Sequence, residues 1–394
     1  MAPPTMPELD LEGRRVLIRA DFDVPITPAR GIDDPTRIRQ ALPSIELALS
    51  RGARVILASH LGRPKGEPDP QLSLEPVGAF LADRLGQEVV LTDEPAGDGV
   101  RKVVADLRPG GVVLLENLRF AAGELGNEER FARALAGYAD VYINDAFCVS
   151  HLPHASVVGV PRHVSERALG LRCKEERDAF ARLLGEVPRP FFAVLGGDRF
   201  AARIPLLETL LDRVDGFLFG GAIANTFLRA RGPKLGRSLL EDDRLPWSRS
   251  FLDRARNRDV AVHLPRDLLV AAGIRAPSGR PVGIQSVPDD LAALDIGPET
   301  QAAYAETLSR ARTVYWNGSL GVAEVPPFAG GTLAIATALG NTLGITAIVA
   351  GRTTATALRR AKLTDRLTHV SEAGAAAAEF QRGHGLVGLA ALQG

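Results

Sequence analysis

The chain of 394 residues carries 47 Lys plus Arg against 47 Asp plus Glu, a formal net charge of zero, with 45% hydrophobic and 24% charged residues. That balance is the one expected of a soluble globular protein, and it predicts neither nucleic-acid binding nor attraction to an acidic membrane, so any anion site must come from local clustering. The length exceeds one ordinary core and predicts two domains of roughly 150–200 residues each.

The N-terminal "MAPPTMPELDLEGRR" lacks the apolar core of a signal peptide. No run of about 18 apolar residues predicts a membrane span. The two cysteines, Cys148 and Cys173, show no metal-type spacing, so a cytoplasmic setting without a disulfide framework is expected.

From there, strands and amphipathic helices alternate. "RRVLIRADF" (14–22) predicts a strand and "PTRIRQALPSIELALSRG" (35–52) a helix stopped by Gly52. "ARVILASHLG" (53–62), "GVVLLENLRF" (111–120) and "ADVYINDAF" (139–147) predict further strands. "NEERFARALAGY" (127–138) predicts a helix with Asn127 as N-cap. "LRCKEERDAFARLLGEVPRP" (171–190) predicts one helix ending at Gly185, and the domain boundary falls there. Strands follow at 190–196, 216–220, 260–263, 313–316 and 346–350. Helices follow at 201–213, 222–231, 298–310, 331–342 and 354–361. This alternation predicts an α/β fold with parallel sheets covered on both faces.

Open parallel sheets bind ligands beyond the carboxyl ends of their strands. In the first half those positions gather cationic-capable side chains: Arg37, His60, Arg63, Arg119, His151 and His154. Arginine's planar fork suits phosphate and carboxylate, so the set predicts an anion pocket. In the second half, "FFAVLGGDRFAARI" (191–204) is an apolar run, a Gly-Gly turn and an amphipathic segment, as in a strand-to-helix turn whose backbone N–H groups cradle phosphate.

Nine stretches in order resemble phosphoglycerate kinase: "RRVLIRADFDVPI", "TRIRQALPSIELAL", "ASHLGRPKG", "LLENLRF", "INDAFCVSHLPHASVVG", "LLETLLDRVDGFLFGGAIANTFL", "DIGPETQAAYAETL", "WNGSLGVAE" and "FAGGT". The resemblance implies two doubly wound parallel-sheet domains joined by a hinge helix. They would be an acid-substrate domain over 1–170, a linker helix over 171–188 and a nucleotide domain over 189–375, with a tail over 376–394 packing back on the first. It implies reversible phosphoryl transfer between ATP and 3-phosphoglycerate with Mg²⁺, brought about by lobe closure. The implied partners are a small phosphorylated acid and an adenine nucleotide (ATP or ADP), with no nucleic acid and no membrane, for a cytoplasmic monomer.

Carried over residue by residue, the resemblance assigns the acid to Asp21, Asp23, Arg37, His60, Arg63, Arg119, His151 and His154. It assigns the nucleotide to Gly196, Gly197, Arg199, Arg203, Gly220, Gly221, Asn317, Glu324, Gly351, Arg352, Thr353 and Thr354. The catalytic positions fall on Arg37, Arg203 and Gly374.

Several of these positions depart from the family pattern. Asp23 stands where the family has an amide, and would repel an acid substrate unless protonated or paired. Leu152 stands where it has an arginine, a loss of about 1.5–3 kcal/mol of charge-assisted contact. Arg199 and Arg203 replace lysines, Ala202 replaces an aspartate, and Asp198 is new. Thr353 replaces the aspartate that helps hold Mg-nucleotide, which leaves no certain metal ligand and makes Asp198 the candidate substitute. Arg352, Glu372, Ala373 and Ala375 alter the phosphate loops. Three readings stay open: a working phosphoglycerate kinase, a binding or regulatory paralogue without turnover, and a kinase retuned to another carboxylate substrate.

Overall fold

A computed structural model describes residues 3–383 and 385–393. The chain divides into two compact units. One runs to Asp178 and includes the chain from Gly385 onward; the other begins at Ala179.

The first unit is built on six strands: β1 (Arg15–Arg19), β2 (Arg54–Ala58), β3 (Val89–Leu91), β4 (Val112–Leu114), β5 (Val141–Asn144) and β6 (Glu166–Leu169). They form one parallel sheet in the order β3-β4-β2-β1-β5-β6. Its central strands are near-continuous runs of Val, Ile and Leu because helices bury both faces. Val16, Ile18, Val55, Leu57 and Ile143 pack there against Ile38 and Ile45 of the helix Thr36–Ser50.

The second unit repeats the plan with β7 (Phe191–Leu195), β8 (Gly216–Phe219) and β9 (Ala261–His263). Next come β10 (Asp267–Ala271), β11 (Arg280–Gly283) and β12 (Ala292–Ile296), then β13 (Thr313–Asn317), β14 (Thr346–Ala350) and β15 (His369–Ser371). The main sheet is again six-stranded and parallel, in the order β15-β14-β13-β7-β8-β9. Buried Trp316, Tyr304 and Leu308 anchor one of its faces.

The chain order reverses direction at β1 in the first sheet and at β7 in the second. The crevice of a doubly wound sheet opens at such a reversal, beyond the carboxyl ends of the strands. It therefore lies between β1 and β5 in the first unit and between β7 and β13 in the second.

Four details differ from the sequence expectation. The helix expected to run from 171 to Gly185 spans Leu171–Ala181, because residues 182–184 tighten into i→i−3 hydrogen bonds. Residues 376–383 belong to the second unit, in and after the helix Gly374–Gln381, so the stretch that joins the first unit starts at Gly385 rather than 376. Asn127 is not an N-cap. It takes φ +50° in the turn after the short helix Ala122–Leu125, and Glu128 caps the helix Glu129–Ala136.

The fourth is a three-stranded antiparallel sheet, β11-β10-β12, which the sequence reading lacks. Its edge strand carries Pro281 and is largely exposed, and a proline is tolerated only at such an edge, so the usual strand signal is missing.

Candidate active site

Beyond β1, the chain turns so that Asp21 and Asp23 face the helix that carries Arg37. The Arg37 Nη1 lies 2.9 Å from Asp21 Oδ2 and 3.6 Å from Asp23 Oδ2. Asp21 also accepts hydrogen bonds from Asp23 N at 3.1 Å and from the Cys148 thiol at 2.8 Å. Burial works against the Asp21 carboxylate, but Arg37, His60 and the Cys148 thiol outweigh it and hold its pKa below the carboxylate range. Asp23 accepts from Gly62 N at 2.9 Å, so the departure from the family's amide is a paired carboxylate.

Beneath these groups lies Arg19, at the end of β1 and wholly buried. Its Nε donates to Ser156 Oγ at 2.8 Å, its Nη1 to the carbonyl of Ala20 at 2.5 Å, and its Nη2 reaches His60 Nδ1 at 3.2 Å. An arginine can only donate, so His60 Nδ1 accepts and the ring proton sits on Nε2. Glu124, with no exposed surface, accepts from Ser156 N at 2.8 Å and from Ser156 Oγ at 2.6 Å, and lies 3.8 Å from His154 Nδ1. Arg119 Nη1 donates to the carbonyl of Gly62 at 2.7 Å.

Arg19, Arg37 and Arg119 carry positive charge here. Burial, then the Arg19 charge, holds His60 down at about 3. Burial, then Arg119 and Arg19, holds His154 at about 4. Of the cationic-capable side chains the sequence gathers here, these two are therefore neutral hydrogen-bonding groups near neutral pH. His151 stands close enough to His154 to act on it electrostatically, and Arg63 is exposed beyond β2. Leu152 packs with Val149, Val157 and Val158, so the position of the family's arginine is an apolar wall.

In the second unit, four loops meet beyond the strand ends. Gly196 N donates to the carbonyl of Asn317 at 3.0 Å, and Gly197 N to that of Ser319 at 2.9 Å. A Cβ on Gly196 would stand 2.0 Å from the Ser319 carbonyl oxygen, so only glycine lets these turns touch. Gly220 follows β8 and caps the helix Gly221–Ala230; Gly221 N donates to the carbonyl of Leu320 at 2.9 Å. Asn317 Nδ2 donates to Tyr315 OH at 2.7 Å and to the Gly374 carbonyl at 3.1 Å. Gly351, at φ +119°, leads into the helix Arg352–Arg360, and Gly374 starts the helix Gly374–Gln381 against it.

Two buried polar atoms in these loops, Asn317 Oδ1 and Thr354 Oγ1, have no hydrogen-bond partner. Arg203 presents its Nη2 3.8 Å from where a Gly197 Cβ would be. Burial pulls its pKa below the usual arginine value, with Tyr315 and Asp198 opposing, and no carboxylate among the described residues lies within ion-pair distance of it. The Thr354 hydroxyl and the Arg203 guanidinium are the groups here that can donate to a polyanion, while Asn317 Oδ1 can only accept.

The remaining predicted residues are less central. Asp198 and Arg199 are 80% and 81% exposed and 3.9 Å apart, and Asp198 acts electrostatically on Arg203. Thr353 Oγ1 donates to Glu324 Oε1 at 3.0 Å on the exposed rim, beside Arg352. Among the described residues no cluster of three His, Cys, Asp or Glu is arranged to hold a metal ion. Sequence reasoning missed Arg19, Glu124, Ser156 and Tyr315. For Arg19 a signal existed, since a charge closing the run "VLI" in a central strand must be buried.

A family model described as phosphoglycerate kinase matches residues 6–384. The phosphoglycerate kinase of Anaeromyxobacter dehalogenans strain 2CP-C is 44% identical over 396 residues, with both chains covered in full. That of Moorella thermoacetica is 44% identical, covering all of this chain and 99% of its own. The solved phosphoglycerate kinase of Coxiella burnetii superposes with a TM-score of 0.84 at 35% identity, over 99% of this chain and 98% of the other. That of Pyrococcus horikoshii gives 0.89 at 26% identity, with the same coverage. Two parallel-sheet units with paired carboxylates and arginines in one crevice and glycine turns in the other thus have full-length counterparts, and the chain belongs to the phosphoglycerate kinase family.

Proposed function

We propose that the chain catalyses the reversible phosphoryl transfer of its family, from ATP to the carboxylate of 3-phosphoglycerate. A carboxylate oxygen of the acid attacks the γ-phosphorus, the bond to the bridging oxygen breaks, and ADP leaves as the acyl phosphate forms. No proton need move at the reacting atoms, so positioning and charge neutralisation carry the rate.

Asp21, Asp23, Arg37, His60, Arg119 and His154 would hold the acid, with Arg63 and His151 at the rim. Gly196, Gly197, Gly220, Gly221, Asn317, Gly351, Thr354 and Gly374 would hold the nucleotide, and Arg203 would meet the charge on the moving phosphoryl group. Arg199, Arg352, Thr353 and Glu324 would contact the nucleotide from the exposed rim. Mg²⁺ would enter as part of the nucleotide substrate, and the Thr353–Glu324 pair and Asp198 are the groups of the chain that could meet it. The reading includes a cytoplasmic monomer, and sedimentation velocity tests the monomer.

The observation that carries this reading is the engagement of Asp23. Its carboxylate accepts from Gly62 N and lies 3.6 Å from Arg37, so it does not stand as a bare charge against the acid. One observation favours a second reading, a nucleotide- or anion-binding protein without turnover or a kinase retuned to another carboxylate: the hydroxyl at 353 is committed to Glu324 where a carboxylate would serve Mg-nucleotide. A coupled assay with Mg-ATP and 3-phosphoglycerate decides. Turnover within an order of magnitude of about 10 s⁻¹ supports the kinase. Absence of turnover with ADP still bound in calorimetry supports the second reading.

A further inference from the structure

The second unit contains a cleft of about 830 Å³ at the end of its sheet away from the nucleotide loops. It is lined by Phe192 at the start of β7, by Asp215 just before β8, and by the edge strand β9. The helix Pro298–Leu308 supplies Tyr304, and the end of the helix Gly221–Ala230 supplies Leu228. Phe192 and Gly196 are four residues apart on one extended strand, which at about 3.3 Å per residue places the cleft about 13 Å from the phosphate turn. It is a separate site.

Its chemistry is two-sided. Leu228, Val262, Leu264 and Ile284 give an apolar wall. The Phe192 and His263 rings pack edge-on, with centroids 6.3 Å apart. Tyr304 OH stands 2.8 and 2.9 Å from the carbonyls of Phe219 and His263 and shares its one proton between them, fixing the floor. Arg231, Arg266 and Arg310 stand on the rim.

The two acidic groups present are already engaged. Asp215 takes hydrogen bonds from Arg189 at 2.5 Å and from Phe191 N at 2.6 Å, and Glu306 pairs with Arg310 at 3.2 Å. Arg231 and Arg266 have no carboxylate within ion-pair distance among the described residues. The net excess over the apolar wall is therefore positive.

We propose that this cleft is a second ligand site, for a small amphipathic anion with an aromatic or alicyclic body and one acidic group. The body lies on Phe192, Val262 and His263, and the acidic group meets Arg231 and Arg266. A volume of this size suits a ligand of that class, and such a body gains from apolar burial while the guanidinium forks fix its acidic end.

The test uses anilinonaphthalene sulfonate, a fluorescent probe of this chemistry, titrated against the full chain with and without saturating ADP. The expected result is one saturable site per chain that persists with ADP present. The double variant Arg231→Glu/Arg266→Glu should weaken it at least tenfold, and Arg231→Lys/Arg266→Lys should retain it. Unchanged thermal unfolding of both variants shows that the fold is kept. Displacement by ADP, absence of a saturable site, or binding indifferent to charge reversal would each overturn the proposal.

Discussion

Arg359 Nη1 donates a 2.9 Å hydrogen bond to Glu372 Oε1, and the Glu372 side chain is only 10% exposed. The carboxylate that enters the loop before Gly374 is thus neutralised from the neighbouring helix. Arg359→Ala should release that charge two residues from Gly374 and weaken ADP binding by roughly three- to tenfold through repulsion of the phosphates. Calorimetry measures it, and Glu372→Ala in the same chain should restore the affinity. An ADP affinity unmoved by Arg359→Ala would remove the pair from the binding account.

The two buried histidines make stability depend on acid. Their folded-state pKa values, about 3 for His60 and about 4 for His154, lie below the ordinary 6.5. The unfolded chain therefore takes up these protons first. Their contribution is intact above about pH 6.5 and is lost as pH falls toward 4 and then 3. Urea unfolding should show a declining midpoint across that window, and His60→Gln should flatten part of the decline. In NMR, neither ring should titrate between pH 8 and 5.

Arg203→Met should lower kcat by roughly 10²–10³ while leaving the fold intact, because a guanidinium placed for developing charge acts mainly in the transition state. Arg199→Ala should cost less than tenfold, since that side chain is 81% exposed. Equal losses from the two substitutions would contradict the assignment of Arg203 to the moving phosphoryl group.

Asp145 carries the opposite sign. Burial, only partly offset by the Cys173 N–H and other donors, pushes its carboxyl up to about 7, and Oδ2 is buried without a partner. The folded state therefore binds this proton more tightly than the unfolded state does, and stability falls as pH rises from about 4 to about 7. Asp145→Asn keeps an oxygen for Cys173 N and removes the charge. Its unfolding free energy should match that of the parent near pH 4 and exceed it by roughly 1–4 kcal/mol above pH 7. A difference that stays constant with pH would place the effect elsewhere.

How far the sequence could be read differed by element. Nine of the twelve parallel strands lie in apolar runs flanked by glycine or helix signals and are visible that way; β3, β6 and β15 are not. Short edge strands such as β3 and β15, at three residues each, are too brief to show a period. The β10–β12 sheet pairs through an irregular register and a proline-bearing edge, so its signal lies in tertiary pairing rather than in local pattern. Site residues that follow strands were legible because topology puts them at one rim. The burial of Arg19 was legible from the apolar run it closes at the end of β1, but its role was not, since that depends on Ser156, 137 positions away. The neutral state of His60 was equally hidden, since it depends on burial and on Arg19.

The first unit is discontinuous in the chain, since residues from Gly385 onward join a body otherwise complete by Asp178. Gly388 N donates to the carbonyl of Ser150 at 2.8 Å, and a Cβ at 388 would meet Val157 at 2.5 Å, so this last piece seats closely against the 150–157 segment. During synthesis the unit that emerges first must therefore wait for about 200 further residues, on the order of 10–40 s at ordinary ribosomal speed. Until then the bed for Gly388 stays open to chaperones and proteases. Loss of the segment from Gly385 onward would leave the 150–157 bed of the first unit without the close contact that Gly388 makes there.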